Sequence, residues 1–245
     1  MCGRYALTLP PEAVRAFFGY EEQPNFPPRY NIAPTQPIAI VVAERRSSGA
    51  TTRHFRLVRW GFVPSFIKDF SAFRPIINAR SEQIAEKPSF RAALRRRRCL
   101  VVADAFYEWQ QRGREPSQPY LIQRHDKQPI GLAGLYETWL GADGSELEGA
   151  CILTTSSNGL LAGIHSRMPV IIPDEASASW LDPDELQAEK AYPLMRPAAE
   201  GMLEAVPVGP GVNAVSNDNP AVQQPIATPP RPGPAPEAWQ QGCLF

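Results

Sequence analysis

A chain of 245 residues with 43% apolar and 20% charged residues can bury a sizeable core, which excludes a wholly disordered polymer. The 25 basic and 25 acidic side chains cancel, and the 27 prolines exceed the usual ~5% about twofold, so loops and extended segments should abound. No apolar run approaches the ~20 residues of a membrane span and residues 1–30 lack a signal-peptide layout, which points away from membrane partners and to a cytoplasmic location.

In chain order, Pro10-Pro11-Glu12 followed by Val14, Phe17, Phe18 and Gly19 predicts a short helix with a proline start and a glycine stop. Residues 38–43 read as a buried strand and 51–59 as an alternating one. Ser89 is placed to cap a helix running through Ala92, Ala93 and Leu94 into Arg95–Arg98. Apolar, β-rich segments follow at 99–109, 119–124, 129–137 and 149–155. Residues 158–164 suit a short helix, 168–172 a strand, and 174–189 one or two acidic helices. Short strands outnumber helices and rarely alternate with them. The expectation is a single α+β domain over residues 1–219, with short helices flanking a mostly antiparallel, barrel-like core. Residues 220–245, rich in proline, are expected to be an extended tail.

The neutral total hides an asymmetry. Residues 1–127 carry 21 Lys+Arg against 11 Asp+Glu, and the rest carry 4 against 14. Arginine is suited to bidentate phosphate contacts, and a basic front half is the footprint of a nucleic-acid binder. A lopsided but merely solvated surface is the plainer alternative. The four cysteines (Cys2, Cys99, Cys151, Cys243) and three histidines show no metal-type spacing, so neither a metal nor a cofactor is expected.

Cys2 is the most informative position. Loss of Met1 would leave an α-amine and a thiol on adjacent carbons. The α-amine titrates at about 7.7–8.0 and the thiol near 8.5, so both are nucleophiles at neutral pH, the thiol more so beside a cation such as Arg4. Such a 1,2-aminothiol condenses with an aldehyde to an imine and closes to a thiazolidine. The alternatives are an amino-terminal-nucleophile hydrolase and a chance residue at a frayed terminus. Three further segments bear on that choice. PIINARSE (75–82) sets Asn78 and Arg80 on one side of an extended chain. VVADAFYEW (101–109) sets Glu108 among aromatic neighbours, where burial would raise its pKa toward neutrality. GIHSRMPVI (163–171) sets His165 and Arg167 before a strand. Singly, Asn78 could cap a turn, Glu108 could pair with an arginine, and His165 could be a satisfied core histidine.

Together, MCGRY at the start, NIAPTQ (31–36), RWGFVPS (59–65), NARSE (78–82), FYEW (106–109) and IHSRMPV (164–170) resemble, in order, the motifs of the SRAP family (SOS response-associated peptidase-like) over residues 1–219. The resemblance implies a covalent sensor of abasic sites in single-stranded DNA within the DNA-damage response, crosslinking through Cys2. In it Asn78 orients the Cys2 amine and the sugar, Glu108 relays protons, and His165 acts as acid or base in the Schiff-base steps. Arg4, Arg80 and Arg167 fall where relatives contact phosphates. Pro34, Trp60 and Gly61 fall along the DNA channel, Thr154 at a contact position, and Phe66 where relatives often carry tryptophan. The family name also implies peptidase action by the same residues as the alternative. The terminal pentapeptide, with Gln241 first and Leu244-Phe245 last, resembles the peptide that docks on bacterial sliding clamps, which implies the clamp as a second partner.

Overall fold

The computed structural model of the chain describes residues 2–227, apart from the side chains of residues 185–188. The clamp-type residues Gln241, Leu244 and Phe245 lie outside them. The strands are β1 (Tyr5–Leu7), β2 (Arg29–Ile32), β3 (Pro37–Arg45), β4 (Thr51–Trp60), β5 (Asn78–Arg80), β6 (Arg98–Ala103), β7 (Ala105–Arg112), β8 (Glu115–Arg124), β9 (Ile130–Leu140), β10 (Glu146–Ser156), β11 (Arg167–Pro169) and β12 (Leu203–Pro207). The helices are α1 (Pro11–Phe18), α2 (Pro88–Arg96), α3 (Gly159–Ala162) and α4 (Ser177–Leu181).

Two sheets result, and the α+β, mostly antiparallel, barrel-like expectation is met. Antiparallel pairs run from β4 to β3, β6, β9 and β10, and a parallel pair between β10 and β4 closes the ring. Closure is possible because two glycines meet there: a Cβ on Gly149 would lie 2.2 Å from the Gly61 carbonyl oxygen. Past the closure, the C-terminal half of β10 separates from β4 and takes β5 on one side, parallel, and β11 on the other, antiparallel. The second sheet is open and antiparallel, in the order β12-β8-β7-β1-β2. Its inner face, with Tyr5, Phe106 and Ile122, joins the barrel's apolar core. On its outer face Ala6, Ala105, Tyr107 and Leu121 are covered by Val208, Val212 and Val222.

The apolar run 99–109, read as one segment, is two strands in two different sheets. Asp104 makes the break. Its carboxylate accepts hydrogen bonds from the Thr8 amide, from Thr8 Oγ1 (2.7 Å) and from the Leu9 amide (2.9 Å), while its own amide donates to Ala6 O (2.9 Å). A short polar side chain that bonds backbone amides competes with the ladder and turns the chain from β6 into β7.

Other boundaries follow local chemistry. Helix α1 starts on Pro11 and stops at Gly19, whose φ of 68° lets its amide bond Arg15 O. Helix α2 also starts on a proline, Pro88, so Ser89 sits within the first turn and caps nothing. The acidic stretch 174–189 forms only the five-residue α4 between 3-10 turns, one of which contains Pro193. Packing also continues past residue 219. Residues 220–223 form a 3-10 turn capped by Asn219, Val222 is buried, and Pro225 bridges to Val208. Among the described residues no helix is long and apolar enough to cross a membrane.

Candidate active site

Three edges converge on the amino terminus. The first is β7. Its register on β1 pairs Tyr5 with Phe106 and Ala6 with Ala105, and the Tyr107 amide carries the ladder back to Arg4 O (2.9 Å). Two residues further along, Glu108 falls beside the start of the chain. Alternation sends Phe106 and Glu108 to the inner face and Tyr107 and Trp109 to the outer one. Glu108 is 3% exposed and Cys2 is fully buried. Burial pushes the Cys2 thiol well above its ordinary range, and the Glu108 carboxylate adds to that rise. Burial likewise pushes the Glu108 carboxyl up, against the positive charges of the amino terminus and of His165. Thiol, carboxyl and imidazole are therefore within electrostatic reach of one another.

The second edge is β5. Its parallel pairing sets Asn78 against Ile152, Ala79 against Leu153 and Arg80 against Thr154. From there Asn78 Nδ2 donates to the Cys2 carbonyl oxygen at 2.7 Å, and Asn78 Oδ1 is buried with no hydrogen-bond partner among the described residues. A fixed amide thus holds the backbone of Cys2 and keeps an acceptor in reserve.

The third edge is β11 with the turn before it. Asn158 caps α3 through the Leu161 amide, and the His165 amide returns to Leu161 O at 2.9 Å. The Arg167 amide donates to His165 Nδ1 at 2.9 Å. The same Nδ1 lies 3.1 Å from Arg167 O, so the Arg167 backbone holds the ring in either tautomer. Gln110 Nε2 grips the Gly163 carbonyl oxygen at 2.7 Å, so β7 steadies the histidine turn two residues beyond Glu108. Arg167 donates to both carboxylate oxygens of Glu82 (2.6 and 2.9 Å) and to the backbone and side-chain oxygens of Thr154 (2.5 and 3.2 Å).

Cys2, Asn78, Glu108 and His165 are thus gathered in one place, with Arg167 and Thr154 on the adjoining strands and Arg80 exposed at the end of β5. The remaining candidates are placed differently. Trp60 is fully buried: it packs edge-on to Tyr5 and donates Nε1–H to Ile77 O at 2.9 Å, backing both the amino terminus and Asn78. Gly61 presents no side chain and has no room for one, since a Cβ there would lie 2.9 Å from Pro75 Cβ. Arg4 is half-buried and engaged inside the protein, donating to Asn31 Oδ1 and Val212 O (both 2.8 Å) with its guanidinium over Trp109. Pro34 is half-buried next to Thr35, which holds the left-handed φ of 74°. Phe66 is 61% exposed, on a loop fastened by the Trp139 Nε1–H bond to Ile67 O (2.6 Å).

Three site residues escaped the sequence reading although each lies in a quoted or adjacent motif. Glu82 closes NARSE, Asn31 opens NIAPTQ, and Gln110 follows Glu108 at strand spacing. Their signal is positional only.

Comparison with known proteins matches residues 1–215 to the family described as SOS response associated peptidase (SRAP). Among curated relatives, the abasic site processing protein YoqW of Bacillus subtilis is 35% identical over 223 residues, covering 90% of this chain and 97% of its own. The abasic site processing protein HMCES of Xenopus tropicalis is 30% identical, covering 100% of this chain and 84% of its own. A crystal structure of a Bacteroides thetaiotaomicron protein superposes with a TM-score of 0.79 at 25% identity, covering 92% of this chain and all of that one.

Proposed function

The chain belongs to the SRAP family, and from that membership and the geometry around Cys2 we propose that it processes abasic sites in single-stranded DNA by covalent capture on an amino-terminal Cys2. The observation that carries the reading is the Asn78 amide bonded to the backbone of a buried Cys2, with the Glu108 carboxyl and the His165 imidazole in electrostatic reach.

After loss of Met1, the neutral Cys2 amine attacks the aldehyde carbon of the ring-opened sugar. The carbinolamine loses water to give an imine. The thiol then adds across the C=N bond: sulfur bonds to carbon, the thiol proton passes to nitrogen, and a thiazolidine closes with no net oxidation. A thiol held above its ordinary pKa does not ionise unaided near pH 7, so closure needs a base beside it. Glu108, raised by burial, can take that proton, and in its acid form it can protonate the sugar ring oxygen during opening. His165 can serve as the acid that protonates the carbinolamine hydroxyl as it leaves as water. Asn78 Oδ1 can accept from the amine and aim its lone pair. An abasic site offers no base edge to read, so recognition falls to backbone charge, which suits the arginine-rich front half, and Arg80 and Arg167 flank the reactive group.

The test is denaturing electrophoresis of the protein with a single-stranded oligonucleotide bearing one abasic site, with Cys2→Ala alongside and mass spectrometry of the amino terminus. A shifted band lost in Cys2→Ala is expected. Its absence from a protein with confirmed amino-terminal Cys2 refutes the reading. Peptidase action, which the family description names, would require the same residues to cleave a peptide with no DNA present. A clamp-docking role for Gln241, Leu244 and Phe245 predicts loss of clamp binding, with crosslinking intact, on deletion of residues 241–245.

A further inference from the structure

Arg167 emerges two residues after His165 on the edge of the site, where a guanidinium would be expected to offer itself to a strand. It does not. Its Nη1 and Nη2 close a two-bond fork on Glu82, Nη2 also bonds Thr154, and the side chain is only 17% exposed. The carboxylate that occupies it is accessible: the Glu82 side chain is 47% exposed, on the 3-10 turn that follows β5. Glu82 also feels the positive charge of Arg80, and its bonds to Arg167 hold its carboxyl below the ordinary range. A carboxylate that sits on one arginine's fork within the field of a second has the charge and the planar acceptor pair of a backbone phosphate.

We propose that Glu82 is a specificity-determining residue that stands in for a phosphate: it holds Arg167 while no strand is bound, and a backbone phosphate of the single strand must take the guanidinium from it. The inference rests on the single-stranded DNA reading above. Every strand that binds must displace the carboxylate, but only an abasic strand then gains a covalent bond. Glu82 therefore depresses occupancy of undamaged single strands while costing little at a lesion that is captured. No bond is made or broken in the exchange; one ion pair replaces another.

The experiment compares full-length wild-type, Glu82→Gln and Arg167→Ala proteins, and the double variant, by fluorescence anisotropy across a salt series. The probes are an undamaged oligonucleotide and one carrying a tetrahydrofuran site, which lacks the aldehyde and cannot crosslink. Removal of a half-exposed competing ion pair should make Glu82→Gln bind both probes about two- to fivefold tighter. Its log–log salt slope should steepen by up to about 0.7, one additional phosphate neutralised on a single strand. The gain should disappear in the Arg167→Ala background. Unchanged or weaker binding by a Glu82→Gln protein that melts like wild type overturns the inference, because Glu82 would then merely brace Arg167. A gain that survives in the Arg167→Ala background overturns it as well, since the effect would be general charge. Crosslinking of aldehyde-bearing DNA by the wild type gauges the functional reading separately, so either can fail alone.

Discussion

Replacing Glu108 with Gln separates chemistry from architecture. The side chain is 3% exposed, and glutamine keeps its shape while removing the ability to take and give a proton. Loss of a positioned acid–base group typically slows a reaction about 10²–10⁴-fold, and crosslinking by Glu108→Gln should fall within that range. Stability should move the other way. Burial raises the folded-state pKa of this carboxyl above its unfolded value, opposite to the usual carboxylate, so ionisation opposes folding. The penalty is absent below the unfolded value of about 4.3, grows as pH rises through the folded value, and is fully present above it. The neutral amide escapes it, so Glu108→Gln should melt at or above the wild-type temperature at pH 7.5, an advantage that shrinks toward pH 4. Single-turnover crosslinking with an abasic oligonucleotide and thermal melts at both pH values are the assays. A rate within threefold of wild type refutes the proton-carrier role. A rate loss that tracks a lowered melting temperature shows the effect to be structural.

Other outcomes follow from the same geometry. Asn31 is fully buried and gives its amide hydrogens to Val212 O, Ala214 O and Asn217 O while accepting from Arg4, so Asn31→Ala should lower stability by about 2–4 kcal/mol in urea unfolding, since several buried groups lose partners at once. Gln110→Ala releases the Gly163 carbonyl and with it the histidine turn. It should slow crosslinking about tenfold and shift its pH profile, with recovery in Gln110→Glu excluded because a carboxylate cannot donate to that carbonyl. Gly134→Ala would put a methyl 2.8 Å from Cys99 Sγ and 3.1 Å from Cys151 O in the barrel wall, at a cost of about 1–3 kcal/mol in the same unfolding assay.

The strands of the barrel were readable because they are long and apolar; residues 38–43 lie inside β3, and all but the first residue of 129–137 lie inside β9. The three- to five-residue strands β1, β2, β5 and β12 carry too few side chains for a period to register, and tertiary pairing alone makes them strands. Asp104 shows a different limit. Within VVADAF it reads as one polar residue in an apolar run, and only Thr8 and Leu9, nearly a hundred residues away, reveal it as the corner between two sheets. The candidate site residues could be named from ordered motifs, whereas the partners of the arginines could not. Whether Arg4 faces solvent or Asn31 and Val212 depends on the chain returning from position 212, which no local pattern encodes.

That return has a consequence for biosynthesis. The outer face of the second sheet is closed by a cover fastened by Arg4 to Val212 and by Asn31 to residues 212–217, contacts about two hundred positions apart in sequence. A ribosome adding ~5–20 residues per second needs on the order of 10–50 s to deliver the last of them, and until then Ala6, Ala105 and Tyr107 have no cover on that face. The sheet that carries Glu108 is therefore finished late in the nascent chain, its apolar outer face open until a segment made near the end arrives.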